Sequence, residues 1–153
     1  MLLVIILVLT SFIHKSKKAN IFSLFPFVES INTEDEETPL YLFYFFSKRN
    51  CEPCLEVIEV LNRLPNYFKV VGIIPEIELK EENELRNITG ANFELRSVKK
   101  YKRFLPQYAP TLIGVSKKKR IFFVLPSVPY EKEYLEQFLL EFFRKAYPLI
   151  LEN

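Results

Sequence analysis

The sequence predicts an α/β domain built on a small mixed β-sheet with helices on both faces, preceded by an N-terminal apolar segment. Three observations carry that expectation. Two apolar runs, Leu40 to Phe46 ("LYLFYFF") and Phe68 to Ile74 ("FKVVGII"), have the composition of buried strands. Between them Leu55, Val57, Ile58, Leu61 and Leu64 recur at helical steps, interleaved with Glu56, Glu59 and Arg63. Towards the C-terminus, two β-rich runs flank "KKKR" (Lys117 to Arg120) and read as an antiparallel hairpin with a charged turn.

Taken in order, Leu40 to Phe46 is expected to be a central strand, because it carries no charge at all. The helix from Leu55 to Leu64 stops at Pro65. It connects the first strand to Phe68–Ile74, so the two strands should be parallel and the crossover right-handed. A second helix is expected over Glu78 to Thr89 from Leu79, Leu85 and Ile88, with Gly90 where a C-terminal cap belongs. Ser97 to Leu105 reads as a short helix with Val98, Tyr101 and Leu105 on one side. After the hairpin, Tyr130 to Tyr147 is an amphipathic helix. Its stripe is Tyr130, Tyr134, Leu135, Phe138, Leu139, Phe142 and Phe143.

The chain has 153 residues, 49% of them hydrophobic, enough for one domain with a substantial core. The formal net charge is +2, which does not point to nucleic acid as a partner. Three glycines and no glycine-rich phosphate motif exclude the common nucleotide-binding loops. The single histidine, His14, lies near the N-terminus, away from any nucleophile it could serve in a Ser/His or Cys/His arrangement. One His and two Cys also fall short of the four ligands of a structural zinc site, so no metal and no cofactor are expected.

Residues 1–31 are read as an N-terminal anchor or uncleaved signal-like segment. "MLLVIILVLTSFI" has the length of a signal-peptide core, shorter than the roughly 20 residues of a full span. No basic residue precedes it and no A-x-A cleavage pattern follows. Lys15, Lys17 and Lys18 follow the run, which by the positive-inside rule would favour a cytoplasmic domain. Residues 32–39 ("NTEDEETP") are acidic and lack apolar side chains, as a solvated tether would. Residues 40–153 form the folded domain.

The chemistry is expected at "CEPC", Cys51 to Cys54, between the first strand and its helix. Amides of a first helical turn have no intrahelical partners and the macrodipole is positive there, so a thiolate at Cys51 is favoured. Lys48 and Arg49 act in the same sense and Glu52 opposes them. Cys54 is three residues on, on the same helical face and within disulfide reach. Pro53 is tolerated because a first-turn amide is unbonded in any case. The arrangement suits thiol–disulfide exchange, with Cys51 attacking and Cys54 resolving the mixed disulfide. A structural staple closing so small a loop would restrain the unfolded chain little.

"CEPC" between a hydrophobic strand and a helix, followed by a βαβ unit, a proline-led hairpin and a C-terminal helix, resembles the thioredoxin superfamily over about Leu40 to Tyr147. Within it the chain is most similar to the membrane-anchored redoxins of the cytochrome c maturation type. The resemblance implies a thiol–disulfide oxidoreductase that reduces protein disulfides. Its partners would be a disulfide-bearing protein substrate and a thiol–disulfide electron donor. It would be held to a membrane through the N-terminal segment, with the domain extracytoplasmic. It implies a cis-proline facing the cysteines, which "YAPTLIGV" supplies as Pro110, with Ala109 offering backbone to substrate. It also implies an insertion before the hairpin, for which Tyr67 to Ala109, including "GANFEL", has room. Two departures stand out. Asn50 replaces the usual Trp before the first cysteine, and the first strand lacks the buried acid of many thioredoxins. Glu56 lies close to the position of an acidic residue in some relatives.

Two rival readings use other features. A peroxiredoxin needs Pro and Thr or Ser upstream of its cysteine, where this chain has Tyr44 and Lys48. A non-catalytic binding or assembly module on the same fold would account for the missing Trp and acid.

Overall fold

The computed structural model describes residues 40–47, 52–97, 110–118, 120–126, 128 and 131–152. The central strand is β1 (Leu40–Phe45), and helix α1 (Glu52–Arg63) carries the chain across to β2 (Phe68–Ile74). β1 and β2 are parallel, in register from Leu40 opposite Phe68 to Phe45 opposite Ile73. The Phe46 amide extends the ladder by donating to the Ile73 carbonyl at 3.2 Å. On its other side β1 pairs antiparallel with β4 (Thr111–Ser116), with Phe45 opposite Thr111. β4 turns into β5 (Ile121–Pro126) as the expected hairpin. Its turn is closed by Ser116, whose amide donates to the Arg120 carbonyl and whose hydroxyl accepts from the Arg120 amide.

The fifth strand was not expected. β3 (Glu94–Ser97) adds to β2 in parallel, giving the order β3-β2-β1-β4-β5. "GANFEL", within the stretch expected to have room for an insertion, leads into this edge strand. Only Leu95 is buried in this four-residue strand, and Glu94 and Arg96 pair with each other at 2.6 Å. One apolar residue among four leaves no alternation to detect. Ser97, expected to open a helix, ends this strand; the rest of that helix lies outside the described residues.

The expected helix over Glu78 to Thr89 is two helices, α2 (Glu76–Leu79) and α3 (Glu82–Thr89). The break is at Glu81, whose backbone is non-helical at φ −111° and ψ 35°. Leu79 and Leu85 are six positions apart, which would turn them about 120° from each other on a continuous helix. Breaking the helix lets Leu79 pack on the core and Leu85 be fully buried in it. Gly90 caps α3 as expected. At φ +70° it takes the left-handed conformation that favours glycine, and its amide donates to the Arg86 carbonyl at 2.8 Å.

The last helix, α4 (Lys132–Glu152), runs past its expected end and through Pro148. Its buried line is Leu135, Leu139, Phe143, Ala146 and Ile150, whereas Tyr134, expected in the stripe, is 58% exposed. α1 likewise buries Cys54, Val57, Ile58, Val60 and Leu61 and leaves Leu55 exposed. These helices and α3 meet Leu40, Leu42, Tyr44 and Phe46 of the central strand in the larger core. Tyr41, Phe43 and Phe45 face the other way and form a second buried cluster with Val71, Ile73, Ile113 and Val115. The described helices all belong to the first core; the helical cover expected on the second face lies outside the described residues. Among the described residues no helix is long and apolar enough to cross a membrane.

Gly114 faces Phe123 across the hairpin, and a Cβ there would overlap the Phe123 ring. That ring is held edge-on against Phe138 and Phe142 of α4, so it has little freedom to retreat. Gly114→Ala is expected to destabilise the domain by about 1–3 kcal/mol, the usual cost of overpacking. Denaturant unfolding of the variant beside the parent measures it.

Candidate functional site

The topology gathers the interesting residues at one edge of the sheet. β1, β2 and β3 are parallel, so their C-terminal ends lie together, and antiparallel β4 begins at the same edge. Ser47 leaves β1 there, Pro75 leaves β2, and Pro110 enters β4 directly before Thr111. The crevice outside the carboxyl ends of parallel strands is where open α/β sheets place their ligands.

Cys54 stands in the first turn of α1 and is 1% exposed. It is disulfide-bonded, and the chain has one other cysteine, Cys51. Cys51 lies outside the described residues, as do Lys48, Arg49 and Asn50. Burial of Cys54 has a local cause. The core face of α1 repeats at Cys54, Val57, Ile58 and Leu61, so the sulfur belongs to the same apolar line that seats the helix on the sheet. Pro110 is buried at the start of β4. The peptide bond expected to be cis begins at Ala109, which lies outside the described residues.

Two residues at this edge were not singled out by their sequence. Tyr44 of β1 donates its hydroxyl proton to the Cys54 carbonyl at 3.3 Å, in a buried contact. The first strand thus presents a phenol towards the helix start. Burial holds the Tyr44 phenol far above its ordinary value, so it remains a proton donor throughout the neutral range. Its ring stacks on Phe46 at 5.0 Å. In the sequence Tyr44 is one aromatic within an unbroken apolar run, with no signal to separate it from its neighbours.

The second is Glu78, 2% exposed on the single turn of α2. Ser47 donates its hydroxyl proton to Glu78 Oε1 at 2.5 Å, tying the exit of β1 to the segment that follows β2. Glu56 is exposed and is not a buried acid of this edge. Among the described residues no group of three or more His, Cys, Asp or Glu is placed to hold a metal ion.

The fold is thioredoxin-like. Superposition relates it to a Chlorobium tepidum protein named as a thiol:disulfide interchange protein DsbE, with a TM-score of 0.56 and 18% identity over 70% of this chain and 82% of that one. It is similar to StoA from Bacillus subtilis, with a TM-score of 0.52 and 15% identity over 65% of this chain and 81% of the other. A secreted Mycobacterium tuberculosis disulfide oxidoreductase, homologous to DsbE of E. coli, matches with a TM-score of 0.53 and 12% identity, over 69% and 84% of the two chains. No family model and no curated protein sequence matches the chain.

Tyr44 predicts an alkaline weakness. Its folded-state pKa is raised above the ordinary 10.0, so its contribution is complete below that pH. It is lost as the pH rises further, because only the unfolded phenol then gives up its proton. Native stability should fall above about pH 10, and Tyr44→Phe should flatten that decline. Near neutral pH the same variant should lose about 1 kcal/mol with the hydrogen bond to Cys54. Urea unfolding at pH 8 and at pH 11 separates the two effects.

Proposed function

We propose that the protein is a thiol–disulfide oxidoreductase that reduces protein disulfides through Cys51 and Cys54. The observation that carries this reading is Cys54: buried, disulfide-bonded, and in the first turn of the helix that follows the central strand of a thioredoxin-like sheet. A disulfide at a helix N-terminus is poised for exchange, because the helix end stabilises the thiolate released when the bond opens.

The cycle balances as two exchanges. A dithiol donor reduces the Cys51–Cys54 disulfide, giving up two electrons and two protons and leaving as a disulfide. The Cys51 thiolate then attacks a substrate disulfide and expels one substrate sulfur as a thiolate, which takes up a proton. Cys54, as its proton leaves, attacks the mixed disulfide at the Cys51 sulfur and releases the second substrate thiol. Pro110 stands at the entry to β4 on the same edge, where the substrate strand would lie, and Ala109 would offer it backbone. Residues 1–31 would anchor the domain to a membrane on its extracytoplasmic side, with residues 32–39 as the tether. Protease protection in intact and permeabilised cells checks that side: the domain should be cleaved in intact cells.

In an insulin-reduction assay driven by a dithiol, the full chain in detergent should accelerate disulfide cleavage. Cys51→Ser should abolish the acceleration. Cys54→Ser should accumulate a mixed disulfide through Cys51, visible as a mass increase removed by reductant. Iodoacetamide should modify the reduced Cys51 faster than Cys54 at neutral pH. Faster alkylation of Cys54 would reverse the roles. An inactive parent chain whose thiols react no faster than a free cysteine peptide would instead mark a non-catalytic module on the same fold.

A further inference from the structure

We propose that Glu78 is a positioning residue for the cysteine pair, acting through Ser47 on the connection between β1 and α1. The proposal rests on the thiol–disulfide reading above and gives that site a part that neither cysteine supplies. Glu78 is the one charged side chain buried among the described residues. Removing a carboxylate from water costs several kcal/mol unless hydrogen bonds replace the lost hydration. The Ser47 hydroxyl supplies one at 2.5 Å.

The position of that bond gives it a consequence. Ser47 is the residue at which the described part of the β1 exit ends, four positions before Cys51. Glu78 sits at the corresponding exit from β2, the strand paired in parallel with β1. The bond therefore spans the two exits at the edge where Pro110 enters. On the helix side, the Tyr44 hydroxyl holds the Cys54 carbonyl. Ser47, before Cys51 in the chain, and Cys54, after it, are thus each held by a side-chain hydrogen bond. Opening or closing a disulfide in a short loop requires the two sulfurs to meet in a narrow geometry. A loop with a fixed entry holds them there more often than a loop free to swing. Releasing Ser47 from Glu78 should therefore disfavour the disulfide relative to the dithiol.

The test is the disulfide–dithiol equilibrium of the full chain in detergent, read by thiol labelling against graded mixtures of reduced and oxidised dithiothreitol. Ser47→Ala and Glu78→Ala should each shift the equilibrium towards the dithiol by roughly threefold or more, and the double variant no further than the larger single, as coupled residues do. Glu78→Gln retains an acceptor for Ser47 and should stay within about twofold of the parent. Denaturant unfolding in parallel identifies any variant that fails to fold; if Glu78→Ala does so, Ser47→Ala against Glu78→Gln decides. Unchanged equilibria in folded Ser47→Ala, or additive shifts in the double variant, would overturn the proposal. The readout does not require reductase activity. A parent chain that cleaves no insulin disulfide defeats the proposed function, whereas an active parent with equilibria indifferent to Ser47 and Glu78 defeats this inference alone.

Discussion

Complete burial of the central strand is the constraint on which the rest of this structure depends. Every residue from Leu40 to Phe46 is at most 4% exposed. A strand in that position can hold no unpaired backbone group. Its two edges are taken by β2 and β4, and its two faces by separate apolar clusters. A side-chain hydroxyl in such a strand is stabilised by a hydrogen-bond partner inside the protein. For Tyr44 that partner is the carbonyl of Cys54. The bond that satisfies this hydroxyl also fastens the first turn of α1, where the buried sulfur stands.

This gives a physical account of the missing acid. A carboxylate in β1 would be enclosed among Leu40, Leu42 and Phe46, where its ionised form is heavily disfavoured. The chain instead has a neutral phenol in the strand and its buried carboxylate one strand over, on α2 at the sheet edge. The two groups differ in chemistry. Burial keeps Tyr44 protonated and donating, while Glu78 accepts from Ser47. Polar interactions thus brace the strand exit and the helix start without a charge entering the central strand.

Away from this edge the structure is held mainly by packing. α1 and α4 are bridged by Lys132 with Glu59 and by Arg63 with Glu136, but these pairs are exposed and such contacts contribute little individually. The aromatic layer beneath them is more substantial. Tyr67 stacks on Phe143 at 4.2 Å, and Phe123 meets Phe138 and Phe142 edge-on. Fifteen phenylalanines and no tryptophan make such a layer without adding indole groups that need hydrogen-bond partners. The loop from α3 to β3 is stitched by side chains instead. Arg86 donates to the Ala91 and Phe93 carbonyls, and Asn62 bonds the Gly90 carbonyl and the Asn92 amide.

The sequence by itself determined what depends on local periodicity and composition. β1 and β2 were legible because seven-residue apolar stretches admit few other placements, and their parallel pairing followed from the helix between them. The hairpin was legible from its charged turn, the end of α3 from Gly90, and Cys54 as a residue of the helix that follows the first strand from the strand-to-helix junction. Tertiary structure decided what depends on contacts between distant segments. β3 exists because β2 offers an edge for Leu95 to be buried against, although "ELRS" alone has no strand pattern. The break between α2 and α3 falls between Leu79, which packs on the core, and Leu85, which is fully buried in it. Above all, no spacing marks Tyr44 or Glu78. Their partners, ten and thirty-one positions away, are brought near only when parallel strands end at a common edge, and a hydrogen bond formed by that convergence has no periodicity in the chain.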